Sequence, residues 1–168
     1  GSKLRDFHLL PFLPLLESSS KFRAGKSRVT CAASMRLGVV IPAYNEEKLV
    51  SLCLGSVFRA AKEAGMASGE AQDAKASQIV VVLSDGGSKD KTVSEAKKTG
   101  AVVVETKKGD ARGRGPTLHR GLKGIPDDVD VLMFLHVDCT VPIDFFVQLA
   151  DYWEKEKPEI GFCKMKFD

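Results

Sequence analysis

The chain has 168 residues, 43% of them hydrophobic and 28% charged, a composition that suits one soluble α/β domain with a sizeable core and an appended tail. Its formal net charge of +3 is unevenly placed, because residues 1–35 hold six of the 25 Lys and Arg residues but only two of the 22 acidic residues. The rest of the chain is close to neutral, which argues against a nucleic-acid-binding face.

Residues 1–35 have the composition of a targeting peptide or a disordered tail. Scattered Lys and Arg, a serine cluster and the small residues Val29–Ser34 are typical of organellar transit peptides, and Val-x-Cys-Ala resembles chloroplast processing sites. We therefore expect plastid targeting; the alternatives are a disordered tail on a cytoplasmic protein and a secretory signal around Leu9–Leu16. That apolar stretch is short and interrupted by prolines, so no membrane span is predicted.

From residue 36 onward the pattern predicts alternating strands and helices. The first strand is the β-branched run Leu37–Ile41, which a proline closes. Asn45 is the predicted N-cap of a helix that continues to about Gly65 with apolar residues at helical spacing. Residues 66–77 are small, polar and without period, which predicts a loop.

The second strand and helix follow the same pattern. Ile79–Leu83 is apolar throughout, and Ser84–Ser88 forms the turn at its end. Ser88 is the predicted cap of the next helix, which Gly100 ends. Ala101–Glu105 is then the third strand.

A Gly-rich basic loop and a fourth strand come next. The loop, Lys107–Gly115, leads into a short helix that ends near Gly121. The run Val131–Leu135 is apolar at every position, so it is predicted to be a strand that is buried on both faces. A last helix is expected to start at Pro142, and residues 160–167 could add one more strand. This order predicts an α/β fold with a mostly parallel sheet and helices on both of its faces.

Three strands are followed by unusual polar residues, in the loops Pro42–Glu46, Ser84–Ser88 and His136–Asp138. Because the carboxyl ends of parallel strands meet at one edge of a sheet, these loops should converge there, close to the basic loop Lys107–Arg114. The sequence therefore predicts one shared site at this edge.

The residue types in these loops suit a nucleoside diphosphate and a divalent cation. Asp85 can accept hydrogen bonds from a base or a ribose, or it can form an Asx turn or a helix cap. Arg112 and Arg114 lie beside glycines and can donate to a diphosphate, or belong to a solvated loop. Asp138 is a hard oxygen ligand suited to Mg²⁺ or Mn²⁺, and His136 is either a second ligand or a hydrogen-bond donor to a ligand.

Several other readings find less support. The sequence contains no G-x-x-x-x-G-K-[ST], and the G-x-G-x-x-G pattern fails after Gly113–Gly115. A nucleotidyltransferase would need a Gly-rich loop where Pro42–Asn45 stands. The four cysteines form no C-x-x-C pair, which predicts reduced thiols.

These motifs together resemble the family 2 glycosyltransferases of the GT-A fold, over most of residues 36–168. Val39–Glu47 looks like the first strand and loop of that family, Asp85–Asp90 like its base-binding turn and Gly113–Gly121 like its Gly-rich segment. The string Phe134–Pro142 is similar to the subgroup of selenodomain-associated transferases, and its His-Val-Asp stands where the family has a metal-binding Asp-x-Asp.

The resemblance implies a Rossmann-like nucleotide-diphospho-sugar transferase domain that uses Mn²⁺ or Mg²⁺. It implies an inverting reaction in which the metal acts as a Lewis acid on the leaving nucleoside diphosphate and a carboxylate base deprotonates an unknown acceptor. The residues implied to bind the donor nucleotide are Pro42, Ala43, Tyr44, Glu46, Asp85, Arg114 and Val137, with Asp138 and His136 at the metal. Among these, Tyr44 and Glu46 would contact the nucleoside, Asp85 the base and Arg114 the diphosphate.

The sequence departs from the family pattern in two ways. His136 and His119 replace the commonest Asp and Asn of the family, which bears on metal choice and diphosphate geometry. The family also supplies its general base and acceptor pocket from residues beyond the position of Asp168, so no catalytic base is assigned. We therefore expect residues 36–168 to be the donor-binding portion of a transferase; the alternative is a noncatalytic nucleotide-binding or partner-binding protein derived from one.

Overall fold

The computed structural model of the chain describes residues 5–8, 35–66, 78–161 and 164–167. The predicted loop at 66–77, apart from residue 66, and most of the predicted targeting segment lie outside these residues. The strands are β1 Arg5–His8, β2 Leu37–Ala43, β3 Ile79–Asp85, β4 Val102–Val104, β5 Val131–Phe134, β6 Cys139–Thr140 and β7 Lys164–Phe167. The helices are α1 Val50–Glu63, α2 Thr92–Lys97, α3 Arg114–Leu122 and α4 Phe145–Glu156.

Four parallel strands form the main sheet, in the order β4-β3-β2-β5. Leu37 at the start of β2 pairs with Ile79 on one side and with Val131 on the other. Each of these strands follows a helix or loop that returns the chain to the same end of the sheet, which is the right condition for parallel pairing. The predicted fold class, a Rossmann-like α/β fold with a mostly parallel sheet, is confirmed.

Alternate residues of each central strand face different helices. Leu37, Val39 and Ile41 belong to the main hydrophobic core with buried residues of α1 and α4. Val40 faces the opposite way, where α3 lies so close that a Cβ on Gly121 would be 2.5 Å from a methyl carbon of Val40. Because successive side chains of a strand point to opposite faces, the two central strands contact helices on both faces of the sheet, as predicted.

Strand β5 differs from its prediction, because it is not buried on both faces. Within the part of the chain that the structure describes, it pairs only with β2 and forms an edge of the sheet. Leu132 and Phe134 are 40% and 48% exposed, whereas Val131 and Met133 on the other face pack against the core. The prediction was wrong because an apolar run does not reveal whether a helix covers each side of its strand.

The predicted helix caps Asn45 and Ser88 were also wrong. Helix α1 begins at Val50 and α2 at Thr92, with no side-chain cap at either N-terminus. The Asn45 N–H instead donates to Ser88 Oγ at 2.9 Å, and Asn45 Oδ1 accepts the N–H of Lys89 at 2.8 Å. These two polar residues therefore join the loops that follow β2 and β3.

The last helix begins later than predicted, at Phe145 rather than Pro142, and Cys139–Thr140 before it forms strand β6. A second sheet has the order β6-β1-β7, in which Arg5–His8 pairs parallel with β6 and antiparallel with β7. The strand predicted within 160–167 is thus confirmed at Lys164–Phe167. Among the described residues, no helix combines the length and apolar character that crossing a membrane requires.

Candidate functional site

A cavity of about 420 Å³ opens at the carboxyl edge of the main sheet. Eight of the nine sequence-predicted site residues line it, and only Asp85 does not. The lining residues are Pro42, Ala43, Tyr44, Glu46, Gly86, Arg112, Gly113, Arg114, Thr117, His136, Val137 and Asp138. The expected convergence of the strand-end loops and the basic loop is therefore what the structure contains.

Strand register explains why these loops meet. Ala43, the last residue of β2, pairs with Asp85, the last residue of β3, so their loops leave the sheet side by side. Phe134, the last residue of β5, pairs with Val40, and the chain reaches His136 two residues later. Parallel pairing places all three exits at one edge, where a ligand can contact each of them.

Hydrogen bonds between the first two loops fix the backbone around Glu46. The Glu46 N–H donates to Thr92 Oγ1 at 2.8 Å, and the Glu47 N–H donates to Asp90 Oδ2 at 3.1 Å. In return, the Lys91 N–H donates to Glu47 Oε2 at 3.1 Å. The first of these contacts uses the backbone N–H of Glu46 and the other two belong to Glu47, while Glu46 itself lines the cavity.

The carboxylate of Glu46 is affected by its burial and by a second carboxylate in the cavity. Burial raises the pKa of Glu46, and the negative charges of Asp138 and then Asp90 raise it further. Like charges that are held together in this way favour either a proton or a bound cation between them. The electrostatics of Glu46 and Asp138 therefore suit a positively charged group in the cavity.

The side chains present fit a divalent cation that takes its remaining ligands from a bound anion. Asp138 supplies a hard oxygen and His136 a nitrogen. Over residues 35–66, 78–161 and the two described terminal strands, no three His, Cys, Asp or Glu side chains are grouped closely enough to hold a metal ion by themselves. Oxygen atoms of a ligand would have to complete the coordination sphere.

Asp85 adopts the Asx-turn arrangement that was its alternative role. It is 3% exposed, its Oδ2 accepts the Gly87 N–H at 2.8 Å, and both of its carboxylate oxygens lie 3.1 Å from the Ser88 nitrogen. Gly87 has a φ of +93°, which the tight turn requires. The carboxylate thus shapes the turn that leads into the cavity, and contact with a base stays a prediction.

The basic side of the site comes from the end of the Gly-rich loop. Arg112 and Arg114 are exposed and line the cavity on either side of Gly113, whose φ of +105° lets the chain turn into α3. His119, also on α3, is exposed and is not part of the lining. Of the two histidines that depart from the family pattern, only His136 therefore lines this cavity.

Two lining residues, Gly86 and Thr117, were missed by the sequence reasoning. A Cβ at Gly86 would be 3.3 Å from both the Ala43 oxygen and the Tyr44 Cβ, so a side chain there would crowd the cavity wall. Thr117 lies three residues after Arg114 on α3, and this spacing puts both on one helix face. That spacing was a usable signal, whereas the crowding at Gly86 depends on two separate loops.

Two buried thiols lie beneath the His136–Asp138 turn. Cys53 and Cys139 are buried and neither forms a disulfide within the part of the chain that the structure describes, so the reduced state of these thiols stays a prediction; Cys31 and Cys163 lie outside the described residues. The Cys53 thiol contacts the backbone oxygen of His136 at 3.7 Å, and burial raises its pKa well above the usual range. A thiol in this state is a poor nucleophile, so its contribution here is packing.

The family model for glycosyl transferase family 2 matches residues 38–167. No curated protein sequence matches the chain well enough to count as a relative.

Solved structures are similar at low sequence identity. S. aureus TarS 1–349 is 19% identical with a TM-score of 0.56, and the match covers 73% of this chain and 33% of that one. The same TarS fragment in complex with UDP-GlcNAc is 18% identical with a TM-score of 0.55, covering 73% of this chain and 32% of that one. Mannosyl-3-phosphoglycerate synthase from Rubrobacter xylanophilus is 19% identical with a TM-score of 0.52, covering 67% of this chain and 35% of that one. The chain thus spans about a third of the length of these proteins, which share its GT-A fold.

Proposed function

The chain belongs to glycosyl transferase family 2, and we propose that its cavity binds a nucleoside-diphosphate sugar for metal-dependent transfer to an acceptor with inversion. The observation that carries this proposal is the mixture of charges in one cavity. Asp138 and Glu46 are acidic, while Arg112 and Arg114 are basic and line the same space. A diphosphate together with a divalent cation matches both kinds of charge at once.

The residues of the chain have distinct parts in this reaction. Arg112 and Arg114 donate hydrogen bonds to the diphosphate and stabilise the negative charge that develops on it as the leaving group departs. Asp138 and His136 would hold Mn²⁺ or Mg²⁺, which supplies Lewis-acid stabilisation of that same charge when bound. Neither ion is favoured over the other by this donor set alone.

The nucleoside end of the donor lies against the loops after β2 and β3 in this proposal. Tyr44 is 53% exposed and lines the cavity, so its ring is available to contact a base or a ribose. Pro42, Ala43 and Val137 supply the wall beside it. Asp85 contributes by holding the turn through Gly87, and its contact with the base is part of the proposal.

Calorimetric titration tests the donor site directly. Because TarS was solved with UDP-GlcNAc, UDP and UDP-GlcNAc are the first ligands, followed by GDP and GDP-sugars, each with Mn²⁺, with Mg²⁺ and with EDTA. We expect a nucleoside diphosphate to bind, and to bind at least about tenfold more weakly without metal, a loss of about 1.4 kcal/mol. Absence of binding by every nucleotide would refute the donor site.

Substitution of the metal ligand gives the matched control. Asp138→Asn should remove the difference between the Mn²⁺ and EDTA titrations, because the amide is a much poorer ligand for a hard cation. Asp144→Asn is the control, since Asp144 is exposed on the segment before α4 and does not line the cavity. An unchanged metal dependence in the Asp138 variant would exclude that role for Asp138.

A donor-hydrolysis and transfer assay separates the two readings of the site. A chain that binds the nucleotide and neither hydrolyses nor transfers the sugar would be the noncatalytic nucleotide-binding or partner-binding protein. Membership of the subgroup of selenodomain-associated transferases is part of the proposal and rests on the Phe134–Pro142 string.

Plastid targeting by residues 1–35 remains our proposal for the location of the protein, supported by their composition. A fluorescent reporter fused behind this segment should enter plastids. A diffuse cytosolic signal would rule the proposal out.

A further inference from the structure

Arg120 is a mostly buried cation on α3 with no part in the proposed donor site. Its side chain is 11% exposed, and it is not among the residues that line the cavity. A guanidinium group stays charged at all ordinary pH values and has five N–H donors, so burying it requires several acceptors. The acceptors of Arg120 therefore indicate what the residue organises.

Three hydrogen bonds connect Arg120 to the segment before α3 and to the preceding turn of α3 itself. Its Nη1 donates to the backbone oxygen of Ala111 at 2.7 Å, in the basic loop. Its Nη2 donates to Thr106 Oγ1 at 2.7 Å and to Thr117 Oγ1 at 3.1 Å. Ala111 directly precedes Arg112, and Thr117 lines the cavity. The guanidinium thus contacts the segment that carries the basic side of the site.

Thr106 extends this connection to the turn after β3. Its hydroxyl accepts the hydrogen bond from Arg120 and donates its single proton to the backbone oxygen of Asp85 at 2.5 Å. Asp85 is followed by Gly86, which lines the cavity. Arg120 is therefore connected by hydrogen bonds to the basic loop directly and, through Thr106, to the turn after β3.

The remaining donor of Arg120 faces the same loop. Its Nε is buried and has no hydrogen-bond acceptor among the described residues, but it lies 3.9 Å from Asp110 Oδ2. That Asp110 oxygen also accepts the Lys107 N–H at 2.8 Å, which closes the turn of the loop. Attraction between the guanidinium and this carboxylate adds a second attachment next to Ala111.

We propose that Arg120 is a positioning residue that holds the segment Arg112–Arg114 in the geometry that binds a diphosphate. This inference rests on the donor site proposed above. Residues 105–113 lie outside the helices and strands, so side-chain contacts such as those of Arg120 contribute to holding this segment in place. Without them, ligand binding would have to order the segment, and the affinity would fall by that entropic cost.

A double-mutant cycle tests this role by calorimetry with UDP or GDP, whichever the wild-type chain binds more tightly. Arg120→Met should weaken binding about tenfold, because it removes the bonds to Ala111 and Thr106. In a chain that already carries Arg112→Met and Arg114→Met, the same change should weaken binding less than about twofold. A merely structural role would give the same factor in both backgrounds, and that result, or no effect at all, would overturn the proposal.

Two further variants control for charge and for folding. Lys123→Met removes a positive charge from the exposed end of the same helix and should leave the affinity within about twofold. Arg120→Lys keeps the charge, but the lysine cannot donate to Ala111 and Thr106 together, so its affinity for the nucleotide should be reduced nearly as much as that of Arg120→Met. This variant replaces Arg120→Met if the latter does not fold. If the wild-type chain bound neither UDP nor GDP, both the donor site and this inference would be refuted. If the wild-type chain bound a nucleotide and the Arg120 variant bound it equally tightly, only this inference would be refuted.

Discussion

Replacement of Gly121 by Ala tests how closely α3 must approach the sheet. A Cβ at this position would lie 2.5 Å from Val40 Cγ1 and 3.0 Å from Ser84 Cβ, and both neighbours are 0% exposed. Overpacking costs about 1–3 kcal/mol, and a 2.5 Å approach places this change in the upper half of that range, while exchanging Gly for Ala within a helix returns roughly 0.5–1 kcal/mol. We expect a net loss of about 1–2 kcal/mol in the free energy of unfolding, which lowers Tm by roughly 2–8 °C.

Circular dichroism during thermal and urea unfolding measures this change. Gly55→Ala is the matched control, since Gly55 lies within α1 and a Cβ there would meet nothing within 4 Å. It should stabilise the chain by up to about 1 kcal/mol. Val40→Ala should cost less in the Gly121→Ala background than alone, because it removes the clashing methyl group. A Gly121→Ala chain as stable as the wild type would refute the close packing of α3.

Three further changes probe the loops around the cavity. Asp85→Ala should lower the free energy of unfolding by about 1–3 kcal/mol in urea titrations, because the N–H groups of Gly87 and Ser88 lose their acceptor; a loss below that range would contradict the role of the turn. Burial and the charge of Asp138 disfavour the charged form of Glu46, so folding raises its pKa. Glu46→Gln should therefore raise the free energy of unfolding at pH 7 by about 0.5 kcal/mol, a figure that includes a reduction for solvent screening. That gain should vanish below the unfolded pKa near 4.5, and a gain equal at pH 4 and pH 7 would be inconsistent with it. Burial raises the pKa of Asp90, but hydrogen bonds from Thr92 and Glu47 outweigh it and lower the pKa overall. Asp90→Asn should therefore reduce the free energy of unfolding at pH 7. A profile of stability against pH should show this loss shrinking as the pH falls below the pKa of Asp90 in the unfolded chain.

Much of the site was predictable because it depends on local patterns and on one rule of sheet geometry. The apolar runs at Leu37–Ile41 and Ile79–Leu83 indicated strands, and their alternation with helices indicated parallel pairing. Parallel strands bring their carboxyl ends to one edge, which is why the loops at Tyr44, Arg114 and Asp138 meet in one cavity. No knowledge of the packing was needed for this inference.

The sequence by itself determined the four strands of the main sheet, their order along the chain and the chemistry at their ends. Only the tertiary structure decided that β5 is, among the described strands, an edge strand with Phe134 exposed, and that Asn45 and Ser88 join two loops instead of capping helices. It alone showed Arg120 buried against Ala111 and Thr106. The physical reason is range: periodicity and turn chemistry act over a few neighbouring residues, whereas burial and hydrogen-bond partners depend on groups that the fold brings together from distant parts of the chain.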